Sequence, residues 1–261
     1  MANILDAIAE HTRIRIAEKK KTVPLTDIRK EAFSMCCATG FPFEKALKGD
    51  DIGFICECKK ASPSKGVIDA EFPYLKIAEE YEMAGADCIS VLTEPKWFLG
   101  DDRYLKEIAG SVSVPCLRKD FTVDEYMIYE AKTLGATAVL LICSLLEDTM
   151  LKHFLDICEN LGISALVEAH NEHEVSAALK AGARMIGINN RNLANFAVDI
   201  QNSKKLRSLV PEDVLFVAES GIKTKEDVNV MRGANADAVL VGETLMRAAD
   251  KKAMLRYLRG R

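Results

Sequence analysis

Ala84-Gly85-Ala86-Asp87-Cys88-Ile89-Ser90-Val91-Leu92 couples a helix-stopping glycine to a short apolar run, and the pattern returns along the chain. Leu134-Gly135-Ala136-Thr137 precedes Ala138–Ile142, and Ala181-Gly182-Ala183-Arg184 precedes Met185–Ile188. Gly233-Ala234-Asn235-Ala236-Asp237 is a looser fourth copy ahead of Ala238–Val241. In each, glycine ends a helix by taking the left-handed conformation and alanine permits a tight turn into the next run. Working outward gives eight apolar segments: Gly53–Cys58, Cys88–Leu92, Pro115–Arg118, Ala138–Ile142, Ser164–Val167, Met185–Ile188, Leu215–Ala218 and Ala238–Val241. Each is too short for an independent helix and rich enough in Ile, Val, Leu and Cys for a buried parallel strand. Helix-like stretches lie between them: Tyr74–Ala84, Val123–Leu134, Glu147–Leu161, Glu172–Ala181 and Lys225–Arg232. The copies precede the second, fourth, sixth and eighth segments, a quarter-barrel period. Eight βα units in about 210 residues predict an α/β fold, a (β/α)8 TIM barrel, over an open doubly wound sheet.

Roughly the first 50 residues fall outside the repeat, within one expected barrel domain spanning 1–261. Ile4, Leu5, Ile8, Ile14 and Ile16, with Ala7 and Ala17, suggest an apolar helix face. Phe33 to Leu47 adds a Pro-broken apolar stretch, so an N-terminal helical extension packed on the barrel is expected, over one end. Lys19-Lys20-Lys21, beside Glu18, reads as a solvated helix end. The formal net charge is −4 with both signs interspersed, and no basic stripe suggests nucleic acid. Asp6 and Glu10 break the only N-terminal apolar stretch, and no run approaches membrane-spanning length, so a cytoplasmic protein without a membrane partner is expected. The eight cysteines lie mostly in apolar runs and read as buried free thiols. Cys56-x-Cys58 has no zinc-site spacing and no His–Cys company, so no metal is expected.

In such barrels the site lies at the C-terminal ends of the strands. Alternation puts Glu57 and Lys59 on one strand face, toward the barrel mouth, and Cys56 and Cys58 on the other. The other strand ends carry Arg118-Lys119-Asp120-Phe121, Glu168, Asn189-Asn190-Arg191-Asn192, Glu219-Ser220-Gly221 and Gly242-Glu243. One polar residue at a strand end means little. Two lysines, three glutamates and an Asn/Arg pair converging on one mouth form a cluster costly to bury, of the kind that catalysis uses. Ser220-Gly221 and Gly242-Glu243, after the last two strands, suit a phosphate held by backbone N–H groups and a short helix N-terminus.

Other candidates are weaker. His170 and His173 have i,i+3 spacing just after Glu168, but Asn171-Glu172-His173-Glu174 reads as an exposed helix start, so no metal is expected there; His11 and His153 have no evident partner in sequence. Trp97-Phe98 reads equally as substrate-facing or as a loop anchor. Ser220 has no sign of a triad, and no Gly-x-Gly-x-x-Gly or Walker motif is present.

The strand ends together resemble one family, indole-3-glycerol-phosphate synthase of tryptophan biosynthesis. The resemblance rests on Glu57-Cys58-Lys59-Lys60-Ala61-Ser62-Pro63-Ser64-Lys65-Gly66, Leu117-Arg118-Lys119-Asp120-Phe121, Leu166-Val167-Glu168, Ile186 through Leu193, Val217 through Ile222 and Leu240-Val241-Gly242-Glu243. These span almost the whole barrel, and the extension resembles the family's helical cap. The resemblance implies a decarboxylating lyase that closes the indole ring of 1-(2-carboxyphenylamino)-1-deoxyribulose 5-phosphate, with no cofactor. It implies Lys119 as general acid, Glu168 as base, Glu57 as a second acid/base group, and Lys59 at the substrate's anionic groups. Ser62, Pro63 and Phe121 would line the anthranilate pocket. Asn189, Arg191 and Glu219 would orient the substrate, and Ser220, Gly221, Gly242 and Glu243 would hold its phosphate. The chain is expected to be a monomer or weak homo-oligomer without a fused isomerase, and it could associate with other enzymes of the pathway. A neighbouring phosphate-binding barrel would not be expected to carry Glu57-x-Lys59 with Lys119. A catalytically dead binding module would be expected to lack Glu57, Lys119 or Glu168, and all three are present.

Overall fold

The computed structural model describes residues 4–192 and 196–260. Eight parallel strands close into a barrel: β1 (Gly53–Cys58), β2 (Cys88–Leu92), β3 (Cys116–Lys119), β4 (Ala138–Ile142), β5 (Ser164–Ala169), β6 (Met185–Asn189), β7 (Leu215–Glu219) and β8 (Ala238–Val241), with β8 pairing β1. Three helices precede the barrel: α1 (Ile4–Thr22), α2 (Leu25–Ser34) and α3 (Pro42–Leu47). The connections carry α4 (Tyr74–Met83), α5 (Asp102–Ser111), α6 (Tyr126–Thr133), α7 (Asp148–Leu161), α8 (Glu172–Ala181), α9 (Gln201–Arg207) and α10 (Lys225–Gly233). The chain then ends in α11 (Glu243–Arg247) and α12 (Lys251–Arg259). Strand ends differ from the sequence reading by at most two residues. β3 starts at Cys116 because Pro115 has no N–H to give the ladder.

The repeated turn works as expected three times, with φ of 89°, 88° and 90° at Gly85, Gly135 and Gly182. In the fourth copy Gly233 stays helical, and Asn235 takes the left-handed conformation at φ 55°. The true alignment is therefore Ala234-Asn235-Ala236-Asp237, because asparagine is among the few residues that tolerate this region.

Alternation sorts the strands into two layers of apolar packing. Cys56, Cys58, Val139, Val167 and Ile188 face the helices, whereas Ile55, Leu117, Leu140, Leu166, Val217 and Leu240 fill the barrel. All eight cysteines are free, and five are buried: Cys56, Cys58, Cys88, Cys116 and Cys158.

The extension serves both ends rather than one. From α3, Phe43 and Leu47 join the interior cluster and plug the floor. Glu44 beside them takes two hydrogen bonds from Arg184, 2.9 and 3.2 Å, and the Arg184 guanidinium also sits 4.1 Å from the Phe41 ring centroid. From α1, Ile4, Leu5 and Ile8 line the mouth instead. Ile14 of the expected α1 face is solvent-facing, because the packed stripe of α1 is Leu5, Ile8, Ala9, Thr12 and Ile16; Phe33, on α2, is exposed but lies 6.0 Å from the Tyr129 ring.

The basic run is not simply solvated. Lys19 pairs with Asp102 and Glu130, Lys20 pairs with Asp124, and Lys21 alone stays local with Glu18. These pairs clamp α1 against the barrel wall. Arg118 anchors the same region from inside: it is 2% exposed and donates to Thr93 Oγ1, the Met127 carbonyl, Asp102 and Glu130. It points away from the mouth, as its odd-even position on β3 dictates. Among the described residues no helix is long and apolar enough to cross a membrane.

Candidate active site

The C-terminal ends of the strands surround a cavity of about 440 Å³. Its floor is apolar, from Leu140, Ile142 and Leu240. Its walls carry Glu57 and Lys59 from β1, Lys119 from β3, Glu168 from β5, Asn189 from β6 and Glu219 from β7. Each occupies the inward register of its strand, so the period of two that fills the barrel with aliphatic side chains below delivers charge above.

Lys119 is the hub. Its Nζ lies 3.3 Å from Glu168 Oε2 and 3.4 Å from Glu219 Oε2. Asn189 Nδ2 donates to the other Glu168 oxygen at 3.1 Å. Glu57 and Lys59, neighbours at the end of β1, form a second ion pair at the mouth. Burial opposes the charge on Lys119, but Glu219, Glu168 and Glu57 outweigh it and hold the ammonium protonated above its ordinary range. Burial likewise pushes Glu168 up, and Lys119, His170 and the Asn189 amide overcome it, so its carboxyl titrates below the ordinary value. Glu219 goes the other way: burial dominates, Lys119 pulls down, Glu168 and Glu57 push up, and the balance is about 7.

Two glycines make room for these carboxylates. A Cβ at Gly242 would come within 2.2 Å of Glu57 Oε2 and 2.8 Å of Lys59 Nζ. A Cβ at Gly187 would come within 2.1 Å of Glu219 Oε1. Real Cβ contacts do not reach such distances, so the site depends on bare backbone at both points.

At one end of the cavity lie Ser220, Gly221, Gly242 and Glu243, joined by Lys65 and Lys223. Ser220 and Gly221 both have positive φ, 66° and 91°, which turns the chain sharply out of β7. The Glu243 carboxylate does not face the cavity unpaired: it meets Arg247 at 3.1 Å and Lys65 at 3.5 Å. Ser62, Pro63, Phe98 and Phe121 also line the cavity, the two phenyl centroids 5.8 Å apart. Arg191 reaches the wall as well, its backbone N–H donating to Asn189 Oδ1 at 3.0 Å and its guanidinium to the Phe196 carbonyl. Leu193 of the quoted motif lies outside the described residues.

All fourteen residues singled out from the sequence therefore line one cavity. The Trp97-Phe98 pair divides: Phe98 lines the cavity, while Trp97 packs edge-on to His11 at 5.3 Å. The residue that places Phe98 was missed. Glu94, fully buried, accepts the backbone N–H groups of Lys96, Trp97 and Phe98 at 3.0, 2.7 and 3.0 Å. His170 was given no role in the site. Asn171, Glu172 and His173 are exposed, as expected of the helix start, but His170 just before them turns inward, 3.4 Å from Glu168 Oε1. A histidine two residues beyond a strand-end glutamate was the available signal, since the same inward parity continues past the strand.

Fold and site together define a (β/α)8-barrel enzyme with a buried lysine–carboxylate acid–base centre. The indole-3-glycerol phosphate synthase family model matches residues 5–258. The chain is 55% identical over 257 residues to the indole-3-glycerol phosphate synthase of Ruminiclostridium cellulolyticum, covering 98% of this chain and 99% of that one. It is 51% identical to the enzyme of the same name from Endomicrobium trichonymphae, covering 98% and 99%. The chain belongs to the indole-3-glycerol phosphate synthase family. Among solved structures, 3-hexulose-6-phosphate synthase from Salmonella typhimurium shares the barrel, with a TM-score of 0.66 over 80% of this chain and 97% of that one, at 15% identity.

Proposed function

We propose that this chain closes the indole ring of 1-(2-carboxyphenylamino)-1-deoxyribulose 5-phosphate and releases carbon dioxide and water. It is a decarboxylating lyase of tryptophan biosynthesis acting on a phosphorylated small molecule. The observation that carries the reading is Lys119, a protonated amine between two carboxyls at the mouth of a barrel in this family.

Ring closure joins the aromatic carbon bearing the carboxylate to the ketone carbon. The carbonyl oxygen gains a proton as its π bond breaks, and Lys119, kept charged by its neighbours, is the donor. The resulting iminium stands next to the carboxylate and accepts the electron pair freed when carbon dioxide leaves, so the substrate supplies its own electron sink. Dehydration then needs a hydroxyl protonated and a ring proton removed. Glu168, held ionised, is the base. Glu57 acts as a second acid/base group, and Lys59 binds the substrate's anionic groups and serves as an acid in dehydration. Asn189, Arg191 and Glu219 orient the hydroxyls and carboxylate; Ser62, Pro63 and Phe121 enclose the anthranilate ring. Ser220, Gly221, Gly242 and Glu243 hold the phosphate, mostly through backbone N–H groups. The reading extends to one barrel domain with a helical extension, working in the cytoplasm as a monomer or weak homo-oligomer and open to association with other enzymes of the pathway.

The test is to supply the carboxyphenylamino substrate without any cofactor and follow indole fluorescence. Product formation that falls by about 10²–10⁴-fold in Lys119→Ala supports the assignment. No product from the wild type, or an alanine variant as fast as the wild type, would sink it.

A further inference from the structure

His170 follows β5 by one residue and is fixed at its backbone from two sides. Its N–H donates to Glu174 Oε2 at 2.8 Å, and its carbonyl accepts from Asn202 Nδ2 at 3.2 Å. The ring lies between two carboxylates. Nδ1 is 3.1 Å from Glu174 Oε2, and Nε2 is 3.4 Å from Glu168 Oε1. Nε2 is buried and makes no hydrogen bond among the described residues; Glu168 Oε1 is within ion-pair distance of it. A neutral imidazole carries one N–H and one lone pair, so it can satisfy only one of two flanking anions and turns a lone pair on the other. The imidazolium donates from Nδ1 to Glu174 and sets a positive charge, with an N–H in place of a lone pair, beside Glu168.

We propose that His170 is a positioning residue whose imidazolium, seated between Glu174 and Glu168, keeps Glu168 an oriented anion ready to accept the substrate proton. The inference rests on the reading of Glu168 as the base and adds what prepares it.

The surroundings support the charged form. The groups facing the ring are Glu168 from β5, Glu174 from α8 and, farther off, Glu219 from β7. From the turn after β4, Cys143 Sγ reaches only the Glu174 carbonyl, and from α9 Asn202 contributes an uncharged amide. The nearest cation, Lys119, is paired to the other Glu168 oxygen. Burial alone would lower the imidazole's pKa; Glu174 and Glu168 outweigh it and raise it above the ordinary value. Glu174 is itself anchored by the Asn171 side chain at 2.8 Å, so the acceptor behind the ring is fixed. Charge thus runs Lys119–Glu168–His170–Glu174, with Glu168 held between two cations.

The test compares pH profiles of kcat for wild type and His170→Gln, with His170 followed by proton NMR in the wild type and in Glu168→Gln. Loss of the cation raises the pKa of Glu168, so the acid limb of the variant moves up by about one pH unit. Well below both limbs the variant's activity then falls about tenfold against wild type, while the high-pH plateau is kept within a few-fold. By reciprocity the His170 resonance titrates above the ordinary histidine value in the wild type and drops in Glu168→Gln. A uniform loss of kcat with an unmoved limb overturns the proposal, and so does a His170 midpoint insensitive to Glu168→Gln. The NMR arm needs no turnover and no folded His170 variant. If Glu168→Gln retains full turnover, the role of Glu168 as base fails instead, and the NMR still reports whether the two side chains are paired.

Discussion

Arg15, on the N-terminal helix, forms a two-pronged hydrogen bond to Asp120, 2.9 Å to each carboxylate oxygen. Asp120 is the residue after Lys119, and the same carboxylate accepts the Phe121 N–H and the Thr93 hydroxyl. The helix that lines the mouth is thereby tied to the segment carrying Lys119 and Phe121. Arg15→Ala leaves Asp120 a buried anion short of its main partner, a loss of about 3 kcal/mol in stability. Chemical denaturation measures it. KM is expected to rise more than kcat falls, with the pH profile unmoved; a kcat loss with unchanged KM would contradict this role.

Gly242→Ala puts a methyl group where the Glu57–Lys59 pair lies. The pair must shift by about an ångström, and misplacement of that size costs on the order of 10²-fold in kcat/KM. Gly110→Ala is the matched control: a Cβ there meets nothing within 4 Å, and the residue is helical. It should add about 0.5 kcal/mol of stability and leave kinetics alone.

Glu219 binds a proton in the folded state up to pH of about 7, against 4.5 when unperturbed. The folded state therefore holds more protons than the unfolded one through that window, and this group's contribution to stability falls as pH rises. Glu219→Gln removes the dependence. Measured by denaturant midpoints at pH 5 and pH 8, the variant should gain on wild type by about 2–3 kcal/mol between the two. An unchanged difference would mean that Glu219 is ionised throughout.

At Asn235 the left-handed turn is met without glycine. Asn235→Gly should be neutral or slightly stabilising, and Asn235→Ala should cost about 1 kcal/mol, read as a shift in Tm.

Much of this was legible because a barrel writes its period into the chain. Alternation on β1 separated Glu57 and Lys59 from Cys56 and Cys58, and the same parity carried Lys119, Glu168, Asn189 and Glu219 to one mouth. What escaped were contacts between residues far apart in sequence. Lys19 and Lys20 looked solvated because Asp102, Glu130 and Asp124 are more than 80 positions away. His170 was passed over because an exposed helix start follows it at once, although its parity with Glu168 already pointed it inward. Glu94 drew no reading at all, since its partners are backbone N–H groups that carry no sequence signal.

The floor plug has a consequence for how the chain acquires its shape. Glu44 meets Arg184 across 140 positions, and Phe43 and Leu47 fill the barrel beneath strands made much later. The segment that seals the floor is made before the later strands it also packs beneath, so its aromatic and aliphatic surface stays partly unsheltered until they arrive. Such distant closure makes for slow folding and a vulnerable nascent chain.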